Sequence, residues 1–144
     1  MTNNISQSLV VLFKRYIKAF EGFDASLALS CYKVPCSLST PDDLKVLTST
    51  ATLVDEFSAI FSQLKEFGFA HVAASKASYQ IVNSNLVMVA VHWQFFDQNQ
   101  TMFTDFTALY HVLTCEDELK ITNVISHEAS HYVPLIENLT IHRE

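Results

Sequence analysis

The segment 86–113, "LVMVAVHWQFFDQNQTMFTDFTALYHVL", decides the fold because apolar and polar residues alternate on both sides of a polar turn. Successive side chains of a strand point to opposite faces, so Val89 and Trp93 share a face of the first run. Tyr110 falls on the apolar face of the second run. The short turn at 97–100 favours consecutive antiparallel pairing, which brings the two apolar faces together.

The same alternation extends outward from this hairpin, whereas the first half of the chain has a helical period. Glycine, asparagine and aspartate mark the breaks between the predicted elements. The pattern predicts helices over 5–20, 25–32 and about 52–67, two short strands within 36–49, and strands over 69–82, 85–96, 102–114 and 118–127.

Composition restricts the class of protein. The 144 residues are 49% hydrophobic and 17% charged, which is typical of one folded domain with a large core. A formal charge of −6 with scattered Lys and Arg argues against a nucleic-acid partner and against a membrane-surface role.

The N-terminus and the cysteines indicate a location. We expect no signal peptide, because the start is polar and then amphipathic, and no apolar run reaches the ~20 residues of a membrane span. Cys31, Cys36 and Cys115 are odd in number and lack a C-x-x-C spacing, so we interpret them as reduced thiols of a cytoplasmic protein.

The order of elements and several short motifs resemble the nuclear transport factor 2-like superfamily, also called SnoaL-like. The resemblance covers about residues 5–127 and implies an α+β fold, a cone-shaped curved antiparallel sheet wrapped around three N-terminal helices. We therefore expect one domain over 1–127, with 128–144 as its C-terminal tail. The motifs are Tyr32 and Pro35, the turn Thr40–Asp43, "LKEFGF" at 64–69, "VAVHWQFFD" at 89–97, "FTALYHVL" at 106–113 and "LKITNVISHE" at 119–128.

Strand parity selects candidate residues for a cavity inside the cone. Trp93 and Tyr110 lie on the apolar faces, and His127 shares a face with Leu119, Ile121 and Ile125, so we expect it to point inward with them. Helix one contributes Tyr16, which resembles the donor tyrosine of ketosteroid isomerases. Each of these side chains has an alternative role in a packed core, and His127 has one as an ordinary strand-end histidine.

Two functions from different classes fit these residues. The first is a small-molecule-binding protein with an apolar pocket lined by Tyr16, Trp93, Tyr110 and His127, without a cofactor. The second is a SnoaL-like lyase, isomerase or hydrolase acting on a small apolar substrate, with His127 as proton shuttle. We favour binding, because the early strand "CSLST" carries no carboxylate where an isomerase-type base would be expected.

Residues 127–131 spell H-E-x-x-H, the signature of zinc proteases. That signature requires a helix, because only there do residues four apart share a face. Here an alternating strand runs directly into His127 and Pro134 closes the segment. Later candidates for a third ligand, Glu137 and His142, lack a protease-like spacing. We therefore predict no metal site.

The outer face of the sheet leads to a prediction about assembly. Three helices cover one face only, and the other face carries apolar residues beside a candidate His92–Asp105 pair and His111. Such patches usually mark interfaces, and relatives with this fold commonly dimerise through the sheet. We expect a homodimer packed sheet against sheet. The apolar residues are Leu86, Met88, Ala90, Phe96, Phe103 and Leu109.

Overall fold

Three helices and a seven-stranded sheet make up the computed structural model, which describes residues 5–141. The predicted α+β class is confirmed, and the four long strands lie within one residue of their predicted bounds. The elements are α1 Ile5–Glu21, α2 Ala25–Leu29, β1 Tyr32–Ser39, β2 Leu44–Leu47, α3 Thr50–Glu66, β3 Phe69–Asn83, β4 Leu86–Asp97, β5 Met102–Cys115, β6 Glu118–His127, a 3-10 turn Ala129–His131 and β7 Glu137–Asn138.

Local sequence explains how α2 and α3 begin. The Asp24 side chain accepts a hydrogen bond from the Leu27 amide, and the Ser49 hydroxyl accepts one from the Thr52 amide. The Ser49 amide in turn donates to the Thr52 hydroxyl oxygen, which completes a capping box. The third helix therefore begins two residues earlier than predicted.

The second helix is shorter than predicted. It ends at Leu29, and Tyr32, which the sequence pattern predicts to be helical, is the first residue of β1. Pro35 lies inside β1 rather than before it, following a cis peptide bond with Val34. This correction places the Tyr32 side chain on the sheet, facing the helices.

The strands form one open, curved sheet in the order β2-β1-β6-β5-β4-β3-β7. The four long strands pair consecutively and antiparallel, as predicted, whereas β1 and β6 pair in parallel. The helices lie against the inner face, where the core contains Phe13, Phe57 and Val91. No helix within residues 5–141 is long and apolar enough to cross a membrane.

Register shifts change the cross-strand neighbours of two residues, Asp105 and Phe103. Asp105 is paired with Gln94 and His92 with Thr107, so His92 and Asp105 are diagonal neighbours rather than direct partners. The shift between Phe95 and Phe96 leaves Phe103 without a ladder partner. Phe103 stacks on Phe67, the residue that follows α3. Phe103 is therefore not part of the outer face.

Residues 128–141, here called the strap, are the described part of the C-terminal tail. The strap leaves β6, contacts β5 through the 3-10 turn and reaches β3, where the Tyr132 hydroxyl lies 2.8 Å from Ser78 Oγ. β7 then pairs with β3, and Leu139 is buried. The strap thus covers part of the face that the helices leave open.

Candidate functional site

A cavity of about 310 Å³ lies between the inner face of the sheet and the helices. Its walls are mainly apolar and aromatic, which is the usual character of a small-molecule site. Side chains of α1, α3 and six strands contribute, including Tyr16, Phe20, Tyr32, Phe57, Trp93 and Tyr110.

Two hydrogen-bonded pairs are formed by aromatic side chains of this lining. The Tyr16 and Tyr32 hydroxyl oxygens are 2.8 Å apart, and Trp93 Nε1 donates to the Tyr110 hydroxyl oxygen over 2.8 Å. α1 directs Tyr16 inward, while strand alternation directs Trp93 and Tyr110 inward. Three of the four predicted site residues are therefore brought together. Tyr32 was missed as a site residue because its position had been assigned to a helix.

These tyrosines remain protonated. Burial raises the pKa of Tyr16, Tyr32 and Tyr110, and the neighbouring Tyr16 hydroxyl raises the pKa of Tyr32 and Tyr110 further. Because Trp93 donates to Tyr110, the Tyr110 proton remains available to a further acceptor. Tyr16 and Tyr32 share one hydrogen bond, so one of them also retains a proton to donate. The lining thus offers neutral donors in apolar surroundings.

The charged residues of the lining mark the opening of the cavity. Asp43 and Lys45 are exposed, and Lys45 Nζ lies 3.3 Å from a carboxylate oxygen of Glu56 on α3. Asp43 accepts a hydrogen bond from the Leu44 amide. From the sequence, the turn that precedes β2 is predicted only as a motif of the fold. Its charged residues indicate a cavity only once the structure shows that β2 lies beside α3.

His127 does not line the cavity, so the prediction that it points inward is wrong. A register shift between His111 and Val112 places a bulge in β6 at Thr122. Because the side-chain period is two, one extra residue turns every later side chain to the other face. Val124 and Ser126 line the cavity instead, and His127 pairs with Thr107 on the outer face.

The outer face carries a chain of polar contacts across three strands. His92 Nε2 lies 2.9 Å from Asp105 Oδ2, and His92 Nδ1 is hydrogen-bonded to the hydroxyl of Ser75. Ser75 occupies a register shift in β3. On β5, His111 lies 3.3 Å from the Asn123 side-chain oxygen. The predicted His92–Asp105 pair therefore forms, diagonally across the ladder.

The H-E-x-x-H segment is not an α-helix. His127 ends β6, Glu128 is extended, and residues 129–131 form a single 3-10 turn. Glu137 lies exposed in β7, away from the motif in sequence, and His142 lies outside the described residues. The protease arrangement expected of this motif is therefore not formed by residues 127–131.

The chain was compared with protein families and with curated proteins. The family described as "NTF2-like protein (DUF6841)" matches residues 7–129 and confirms the resemblance drawn from the sequence. No curated protein gives a significant match.

Solved structures with the same fold are distant in sequence. An NTF-2 like protein of unknown function from Shewanella oneidensis MR-1 is 13% identical, with a TM-score of 0.70 over 85% of this chain and 98% of that chain. An NTF2-like protein with a cystatin-like fold from Novosphingobium aromaticivorans is 11% identical, with a TM-score of 0.71 over 87% and 82%. A superfamily protein from Salmonella enterica serovar Typhimurium is 12% identical, with a TM-score of 0.68 over 88% and 92%. At these identities the likeness shows the fold alone.

Proposed function

The chain belongs to the NTF2-like protein family (DUF6841), and from this premise we propose that it binds a compact, mainly apolar molecule carrying one hydrogen-bond-accepting oxygen. The observation that supports the proposal is the pair of tyrosine donors in an apolar cavity, at Tyr110 and at Tyr16 with Tyr32. A ketone, ether or alcohol oxygen accepts from a neutral hydroxyl, while the rest of the ligand replaces water against aromatic walls.

Binding has more support than proton-transfer chemistry. A lyase, isomerase or hydrolase of the SnoaL-like kind needs a base within hydrogen-bond reach of the proton that it removes. Among the described residues that line the cavity, the carboxylates are Asp43 and Glu56, and both belong to its opening. The proton shuttle considered from the sequence, His127, lies on the outer face. These positions favour a binding protein.

The single tryptophan provides a direct assay. Trp93 is the only tryptophan of the chain and lines the cavity, so ligand entry should change its fluorescence. We would titrate a series of one- and two-ring ketones against the corresponding hydrocarbons. Ketones should bind more tightly by about 3- to 10-fold, the scale of one net hydrogen bond.

Matched variants show whether that preference arises in the cavity. Tyr16→Phe and Tyr110→Phe should reduce the preference for ketones over hydrocarbons, whereas Tyr79→Phe, outside the cavity lining, should leave it unchanged. Equal affinity for ketones and hydrocarbons in the wild-type chain would contradict the donor assignment. An absence of fluorescence change and of thermal stabilisation with every compound would contradict the binding proposal.

We further propose a homodimer through the outer face, with a cytoplasmic location. Leu86, Met88 and Leu109 are half-buried there, and the three cysteines are free thiols, consistent with a reducing compartment. Ala90, by contrast, is fully buried in the single chain because its partner Ser78 lies under the strap, so the contact surface is smaller than the sequence suggested. A monomeric mass by light scattering at micromolar concentration would contradict the dimer.

A further inference from the structure

Three side chains with metal-binding atoms converge where β6 passes into the strap. The ligand atoms of His127, Glu128 and His131 all lie within 4.8 Å of one another. His131 Nδ1 and Glu128 Oε1 are 3.3 Å apart. This cluster lies on the outer face and shares no residue with the cavity.

The backbone brings the three groups together without a helix. His127 is the last residue of β6, and Glu128 remains extended with φ −60° and ψ 143°. The 3-10 turn then folds the chain back, with the His131 amide donating to the Glu128 carbonyl oxygen over 3.0 Å. A helix is therefore not needed to bring these side chains together, because the extended residue and the 3-10 turn do so instead.

The donor set has a definite metal preference. Two imidazole nitrogens and one carboxylate oxygen suit zinc and neighbouring divalent transition ions, whereas calcium and magnesium prefer oxygen ligands alone. Ligand distances of about 2.0–2.2 Å from zinc place ligand atoms about 3.5 Å apart in a tetrahedron. The side chains of His131 and Glu128 are 71% and 64% exposed, so small rotations can bring them to that separation.

We propose that His127, Glu128 and His131 form a site for a zinc-like divalent ion, with the remaining coordination positions open to water. The ion would join the end of β6 to the turn of the strap. Its occupancy would therefore order the segment that contacts Ser78 through Tyr132 and Leu135. The site differs from that of an H-E-x-x-H protease, because all three ligands come from five consecutive residues.

Zinc titration of the metal-free full-length chain tests the proposal. Calorimetry should show one Zn²⁺ per chain, and His127→Ala and His131→Ala should each weaken binding by roughly tenfold or more, the scale of damage to a zinc ligand set. Glu128→Gln should weaken binding less. His71→Ala is the control, because His71 stacks on Phe96 outside the cluster, and it should bind zinc as the wild type does.

A second measurement separates the site from general damage to the fold. Zn²⁺ should slow hydrogen exchange over residues 128–141 in the wild type and in His71→Ala, but not in His131→Ala. Because the His131 side chain is exposed, its truncation should leave the fold intact. Binding that is unchanged in both histidine variants would overturn the proposal. So would the absence of zinc binding at millimolar concentration.

Discussion

The inner and outer faces of the sheet are built from the same strands but are covered by different parts of the chain. On the inner face, Val89 and Val91 are fully buried beneath the helices, next to the aromatic lining of the cavity. On the outer face, His92 and Asp105 form a polar contact, and the strap covers only part of the surface. Alternation thus assigns a residue to a face, but the covering segment decides what that face can do.

The difference also separates two sources of stability. The inner face depends on removing apolar surface from water, worth roughly 25 cal/mol per Å². The outer face depends on individual hydrogen bonds, each worth about 0.5–1.5 kcal/mol net. Substitutions on the two faces should therefore differ in size, and three experiments test that expectation.

The largest effect should come from Phe13→Ala. Phe13 is fully buried and packs edge-on against Tyr110 with ring centroids 5.0 Å apart. Its truncation should lower the free energy of unfolding by about 3–5 kcal/mol. Phe96→Ala on the outer face, where the ring stacks on His71, should cost about 1 kcal/mol. Urea denaturation measures both, and equal losses would show that the faces are equally packed.

An intermediate effect should appear at alkaline pH, because the acidic groups of the core are buried. Burial raises the pKa of the Cys31 thiol from 9.0 to about 11. The unfolded chain then loses this proton first, so the stabilisation is complete below about pH 9 and is lost as the pH rises towards 11. Urea unfolding between these limits should show a decline on the order of 2 kcal/mol from this thiol.

Two cysteine variants test whether the Cys31 thiol causes this loss of stability at alkaline pH. Cys31→Ala should make the loss of stability with rising pH shallower, whereas Cys115→Ala, at the half-buried end of β5, should leave the slope as in the wild type. Cys36 and the buried tyrosines, whose pKa values are also raised by burial, account for the loss that remains. A slope unaffected by Cys31→Ala would contradict the assignment.

The smallest effect should come from the strap. Tyr132→Phe removes the hydroxyl that contacts Ser78 and should cost about 0.5–1.5 kcal/mol. Ser78 would still accept from the Leu135 amide, so the fold should persist. Hydrogen exchange over residues 128–141 should become faster, whereas Tyr79→Phe should not change it. Unchanged exchange in Tyr132→Phe would mean that this contact does not hold the strap.

Periodicity was sufficient for the part of the fold in which strands alternate without interruption. It placed β4 and β5 correctly and therefore identified Trp93 and Tyr110, while the apolar stripe of α1 identified Tyr16. It failed for His127 because a bulge at Thr122 reverses the parity, and no residue in "KITNVIS" signals that extra position.

The strap could not be predicted for a different reason. Its residues have neither a helical nor a strand period, and it is held by separate contacts with distant residues, such as Ser78 with Leu135. Tyr32 was missed because residues 25–32 are compatible with a helix until the parallel pairing with Ile121 of β6 fixes it as a strand. Both are decided by contacts far apart in sequence.

The strand order has a consequence for aggregation. An exposed strand edge presents free amide and carbonyl groups that can template another chain. Along β3, β7 pairs with Ser78 and Tyr79, and the Glu21 carboxylate accepts from the Val72 amide over 3.1 Å. The opposite edge is β2, only four residues long but with an exposed Val46. We expect fibril-like growth on heating to begin at β2, so that Val46→Lys delays turbidity.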